Sequence, residues 1–175
     1  MISRFNSKTL VILAALAAGA AHADGLYVGG SLGKPDYSGS INGIGSGSGD
    51  GTGLKVYGGT ALNKNFALEG GLFDLGKTSS SAGTAKGHGL YVDGVGSYEF
   101  APQWSLLGRV GVVEGRFSSS LGNDASSGLK IGAGLQYELS RQVSLRLEYE
   151  RFHFVNLFDG KPNLGQASFG VKVGF

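Results

Sequence analysis

"YELSRQVSLRLE", residues 137–148, alternates two kinds of side chain on either side of a short break. Tyr137, Val143, Leu145 and Leu147 form one set, and Arg146 and Glu148 belong to the other. Period-two alternation marks a strand with two unlike faces, and "SRQ" (140–142) is short enough to fold one strand back on the next. The unit recurs: "TALNKNFALEGG" (60–71) and "YEFAPQWSLLGR" (98–109) align with it without gaps, at successive offsets of 38 and 39 residues. Each is a hairpin, turning at "NKN" and at "APQ".

Working outward, eight runs show the same alternation: about 25–34, 53–62, 66–76, 88–100, 104–117, 128–139, 143–154 and 165–175. No segment after residue 23 carries a helical period. Short connections alternate with long ones rich in Gly and Ser, at 35–52, 77–87, 118–127 and 155–164. Short turns at one end and long loops at the other describe an all-β, closed, eight-stranded antiparallel up-and-down barrel. The last run, "ASFGVKVGF" (167–175), ends on an aromatic. Stepping 38 residues on from Tyr137 lands on Phe175, so the terminal Phe takes the place of Tyr98 and Tyr137 at the short-turn end. The eighth strand then stops where its siblings turn, and it pairs with the first to leave no open edge.

The first 23 residues read as a signal peptide. "MISRFNSKT" carries Arg4 and Lys8, "LVILAALAAGA" is an apolar run of 11, and Ala21-His22-Ala23 is a small-x-small site with cleavage expected after Ala23. An uncleaved anchor helix is the alternative, but spanning a bilayer takes about 20 apolar residues. Residues 24–175 form the barrel domain, with thirteen basic and thirteen acidic groups. A balanced charge and no basic patch exclude a nucleic-acid role. Gly is 33 of 175 and charged residues are 16%, below the roughly 25% of soluble domains. The chain has no cysteine, which fits export without disulfides.

Alternation alone leaves open which face meets water. A soluble barrel, such as a lipocalin, would hide the apolar set and wet the mixed one. Three observations favour the inverse. Eight strands leave a lumen only wide enough for side chains, and the glycines of the mixed set spare room for long ones. That set also nearly balances its charge, with Lys55, Arg109, Lys130, Arg146 and Lys172 against Glu69, Asp93, Glu148 and Glu150; unpaired buried charge is expensive. Finally, Phe66, Tyr98, Trp104, Tyr137 and Phe175 gather at the short-turn end, as an aromatic girdle does where hydrocarbon meets headgroups. Asp74 and Glu114 fall on the apolar face, which requires them to stand above the bilayer.

"LSRQVSLRLEYERF", "FALEGGLFDLGK" and "LGQASFGVKVGF" resemble the eight-stranded transmembrane domain of outer membrane protein A and related small bacterial surface barrels, over essentially all of 24–175. The resemblance implies a Gram-negative outer membrane, periplasmic short turns, and a terminal Phe175 read by the outer-membrane assembly machinery. It also implies lumen ion pairs: Glu69 and Arg146 match one proposed gating pair, while Gln136 stands where the family pattern has another carboxylate. These residues either gate a narrow pore or only pin the barrel. The periplasmic peptidoglycan-binding domain of the best-known member has no counterpart in this sequence.

Other motifs carry less. "GLFDLGKT" (71–78) satisfies the P-loop pattern, but the chemistry needs a loop opening a helix, and these residues continue a strand. Some barrels of this class modify lipid A with a hydroxyl nucleophile and a His base. "HFVN" (153–156) resembles such a motif only faintly, since Val155 replaces the hydroxyl. His88 and His153 alone do not make a metal site. The reading is therefore non-enzymatic, with no catalytic, cofactor or metal residues. It is a structural and surface barrel whose loops face outward toward lipopolysaccharide, host or phage, and the alternative is a narrow gated pore for water or small ions.

Overall fold

In a computed structural model, the chain is described at residues 25–38, 47–48, 52–80, 83–119, 122–154 and 163–175. These residues hold eight barrel strands: β1 (Leu26–Ser38), β2 (Gly53–Ala61), β3 (Phe66–Ser80), β4 (Gly83–Ala101), β5 (Trp104–Ser119), β6 (Gly122–Glu138), β7 (Val143–Phe154) and β8 (Asn163–Gly174). Each pairs antiparallel with the next, and β8 returns to β1 from Tyr27↔Gly174 to Ser38↔Asn163. A two-residue segment, Gly47–Ser48, adds to the far end of β1. The expected leader, with its cleavage at Ala23, lies outside the described residues.

The short turns have local chemistry that fixes them. Asn63 Oδ1 accepts from the backbone N–H of Asn65 (2.8 Å) and of Phe66 (2.9 Å), an Asx turn that starts β3. Ser140 Oγ does the same for Val143 at 3.1 Å. Gln103 adopts φ 70°, uncommon for a side-chain-bearing residue. It is held from both ends, its carbonyl accepting from Glu138 N–H (2.9 Å) and its Oε1 from the Tyr137 hydroxyl (3.1 Å).

At the opposite end the strands run longer than the alternation indicates. Ser80 pairs with Gly83 and Ser119 with Gly122, so most of 77–87 and 118–127 is paired strand and not open loop. A backbone ladder needs no apolar face to form, which is why a Gly/Ser-rich stretch hides it. The "GLFDLGKT" motif lies within β3, where the register shifts between Asp74 and Lys77 and Gly76 N–H donates to Asp74 Oδ1 (2.7 Å). It forms no phosphate loop.

The barrel is inverted. Leu32, Leu68, Leu72, Val110, Ile131, Leu147 and Phe169 stand on its outside, each about half exposed, while Lys55, Lys130, Glu150 and Asp93 are fully buried inside. Inward glycines make the room. Tyr27 lies opposite Gly59 and Tyr57 opposite Gly29, and a Cβ on either glycine would meet the facing ring at 2.3–2.6 Å. Asp74 and Glu114 are on the exterior. Asp74 pairs with His88 and His88 with Arg116, so three neighbouring strands carry one polar row toward the long-connection end. The apolar exterior stops there.

Candidate functional site: the charged lumen

The lumen is built from alternate residues of the strands. The shear of a closed barrel brings side chains from distant strands together across the bore. Lys55 Nζ contacts Glu148 at 2.8 Å and Glu150 at 2.9 Å. Lys130 Nζ contacts Asp93 at 2.7 Å and Glu150 at 2.8 Å. Arg146 pairs with Glu69, and its Nε donates to Gln136 Oε1 at 3.0 Å. Arg109 is the hub: it reaches Asp93 (3.2 Å), Glu150 (3.2 Å) and Glu69 (3.3 Å) and also pairs with Glu148. Four cations thus meet four carboxylates in one connected cluster, all of it buried. The balance offsets a desolvation penalty of several kcal/mol per ion.

Lys172 stands apart. It faces the short-turn end of the bore, half-buried, 5.1 Å from the centroid of the Tyr27 ring, with no ion pair among the described residues. Of the ten residues expected to form a lumen network, nine come together and Lys172 does not join them.

An apolar layer that the alternation did not single out closes the other end. Phe73, Leu75, Tyr91, Val113, Phe152 and Leu164 cluster inside β3–β8, with Phe73 and Phe152 ring centroids 5.3 Å apart. Lys130 Nζ sits 3.4 Å from the centroid of Tyr91, so this layer lies directly on the ion cluster. Parity held the signal: Phe152 shares the inward phase of Arg146, Glu148 and Glu150.

Outside, Phe66, Tyr98, Trp104, Tyr137 and Phe175 all lie at the short-turn end of the wall. Trp104 and Tyr137 pack at 4.8 Å between ring centroids. Phe175 extends the seam, its N–H donating to Leu26 O at 3.0 Å. His88 and His153 are on the exterior face, on strands separated by β5 and β6. Neither points into the bore.

A closed strand cylinder, apolar on its wall and ionic in its bore, is an integral membrane β-barrel. The chain matches the outer membrane protein beta-barrel domain over residues 9–175, and it belongs to that family. Its place is the outer membrane of a Gram-negative bacterium. Among solved structures it is similar to Neisserial surface protein A, with 21% identity, TM-score 0.71, and coverage of 87% of this chain and 98% of that one. It is similar also to the N-terminal barrel of Pseudomonas aeruginosa OprF (13%, TM-score 0.60, covering 85% and 97%). A third is Ail, the attachment invasion locus protein of Yersinia pestis (18%, TM-score 0.58, covering 86% and 99%). No curated protein matches the chain.

Proposed function

We propose that this protein is a non-enzymatic surface barrel whose bore is pinned and plugged, and whose work is done by what it displays outside the cell. The observation that carries the reading is the stacking of two closures. A charge-balanced cluster with Arg109 at its centre lies against the apolar layer of Phe73, Tyr91, Phe152 and Leu164. A path for water or small ions would have to break buried ion pairs and then cross packed rings. The Glu69–Arg146 pair acts here as a pin and not as a gate.

Catalysis finds no support in the residues. The one faint acyl-transfer motif lacks its hydroxyl at Val155, and His153 stands on the outer wall. In this reading Ala23 ends a removed leader and Phe175 is the signal that the assembly machinery takes up. The aromatic girdle sets the depth of the wall, and lipid and lipopolysaccharide surround it. The outward connections contact host surfaces or phage. Ail, which shares the fold, has been crystallised with the heparin analogue sucrose octasulfate, a precedent for such contacts on this architecture.

Conductance of purified protein in planar bilayers tests the plug. The expected result is a silent membrane for the wild type and for Arg146→Ala. Steady wild-type openings that vanish in Arg146→Ala would replace the plugged barrel with the gated pore.

A further inference from the structure

The periplasmic end of the bore contains a vestibule of about 370 Å³, walled by Tyr27, Ser105, Gln136, Arg146 and Lys172 and bordered by Glu138. Its charges do not cancel as those above it do. The upper part of the cluster sets Lys55, Lys130 and Arg109 against Asp93, Glu148 and Glu150. The lower part has one buried carboxylate, Glu69, already shared between Arg109 and Arg146. Lys172 is therefore a surplus cation. It and the Arg146 guanidinium, whose Cζ lies 5.5 Å from the Tyr27 centroid, both approach the same ring. The Tyr27 hydroxyl is buried beside the Glu69–Arg146 pair. The carboxylates at the mouth, Glu99 and Glu138, are both exposed to water, which screens them.

We infer that this vestibule is a binding site for a small oxyanion, a carboxylate or a phosphate, entering from the periplasm. The anion would sit against the Lys172 ammonium, with the Arg146 edge contributing. Charge-assisted bonds of this kind are about twice as strong as neutral ones. The space is roughly ten times the 30 Å³ share of one water molecule, so the anion enters with part of its hydration. This inference is independent of whether the bore is plugged higher up, since the site opens on the periplasmic side alone.

Isotope-labelled protein folded in zwitterionic micelles, titrated with sodium phosphate or with sodium acetate at constant ionic strength, tests it. Amide shifts at Tyr27, Ser105, Gln136 and Lys172 should saturate, with half-saturation on the order of 1–10 mM for the better anion. The stronger of the two titrations identifies the oxyanion class. Lys172→Gln should raise the half-saturation at least about tenfold, and Lys172→Arg should keep it. Lys172→Met, which keeps the apolar stem and removes the charge, should weaken binding as much and serves if Lys172→Gln does not fold. Shifts that stay linear to about 100 mM, or that survive Lys172→Gln unchanged, would overturn the site.

Discussion

Arg109→Met removes the one side chain that touches every carboxylate of the bore. After the change Glu148 keeps Lys55, Asp93 keeps Lys130, Glu150 keeps both lysines and Glu69 keeps Arg146. No acid is abandoned, but four carboxylates face three cations, and one negative charge is left uncompensated in a buried space. Breaking a buried pair in this way costs about 3–5 kcal/mol. That is a third or more of the stability of an ordinary domain. Equilibrium urea unfolding of protein folded in lipid vesicles, followed by Trp104 emission, measures it. The double variant Arg109→Met, Glu148→Gln restores three against three. It should recover about 1–3 kcal/mol of the loss, a coupling expected only for residues in one network. A loss below about 1 kcal/mol for Arg109→Met, or strict additivity in the double variant, would mean that the cluster is wetted and that its pairs carry little.

Two further comparisons probe the wall. Leu147 is 55% exposed on the apolar exterior, and Leu147→Arg should cost about 2–4 kcal/mol in vesicles; His88→Arg, in the polar row beyond the apolar band, should cost no more than about 1 kcal/mol. Equal tolerance at both positions would contradict a lipid-facing wall. On β5, a Cβ at Gly111 would lie 2.1 Å from Val92 O and 2.2 Å from Asp93 Oδ1, whereas one at Gly108 meets nothing within 4 Å. Gly111→Ala should therefore lose about 1–3 kcal/mol. Gly108→Ala should gain up to about 1 kcal/mol. Thermal or urea midpoints of the two variants check the contrast, and a reversed order would refute the inward assignment of Gly111.

The strand count and the closure could be read from the chain because every wall strand alternates strictly, as Leu145 and Leu147 do with Arg146 and Glu148. The inversion was legible from other signals: glycines and nearly balanced charge on the mixed face, and aromatics gathered at the short-turn end. What stayed hidden has a physical reason in each case. The hub role of Arg109 depends on shear, which sets who meets whom across the bore, and shear is not written in any single strand. The ring layer of Phe73, Tyr91 and Phe152 sits on the inward phase among charged residues, so it blurs the alternation instead of announcing itself. The strand ends Thr78–Ser80 and Ser118–Ser119 are paired through the backbone, and a run of Ser and Thr leaves no alternation of side-chain polarity to read.

The pairing of β1 with β8 joins the two extremes of the chain along twelve residue pairs. Until the final strand has been made and delivered, the sheet has two unsatisfied margins, and neither can rest in hydrocarbon. Any stepwise insertion therefore needs those margins held by something other than lipid until the barrel closes. The wall becomes self-sufficient in hydrocarbon only in the act that zips its first strand to its last.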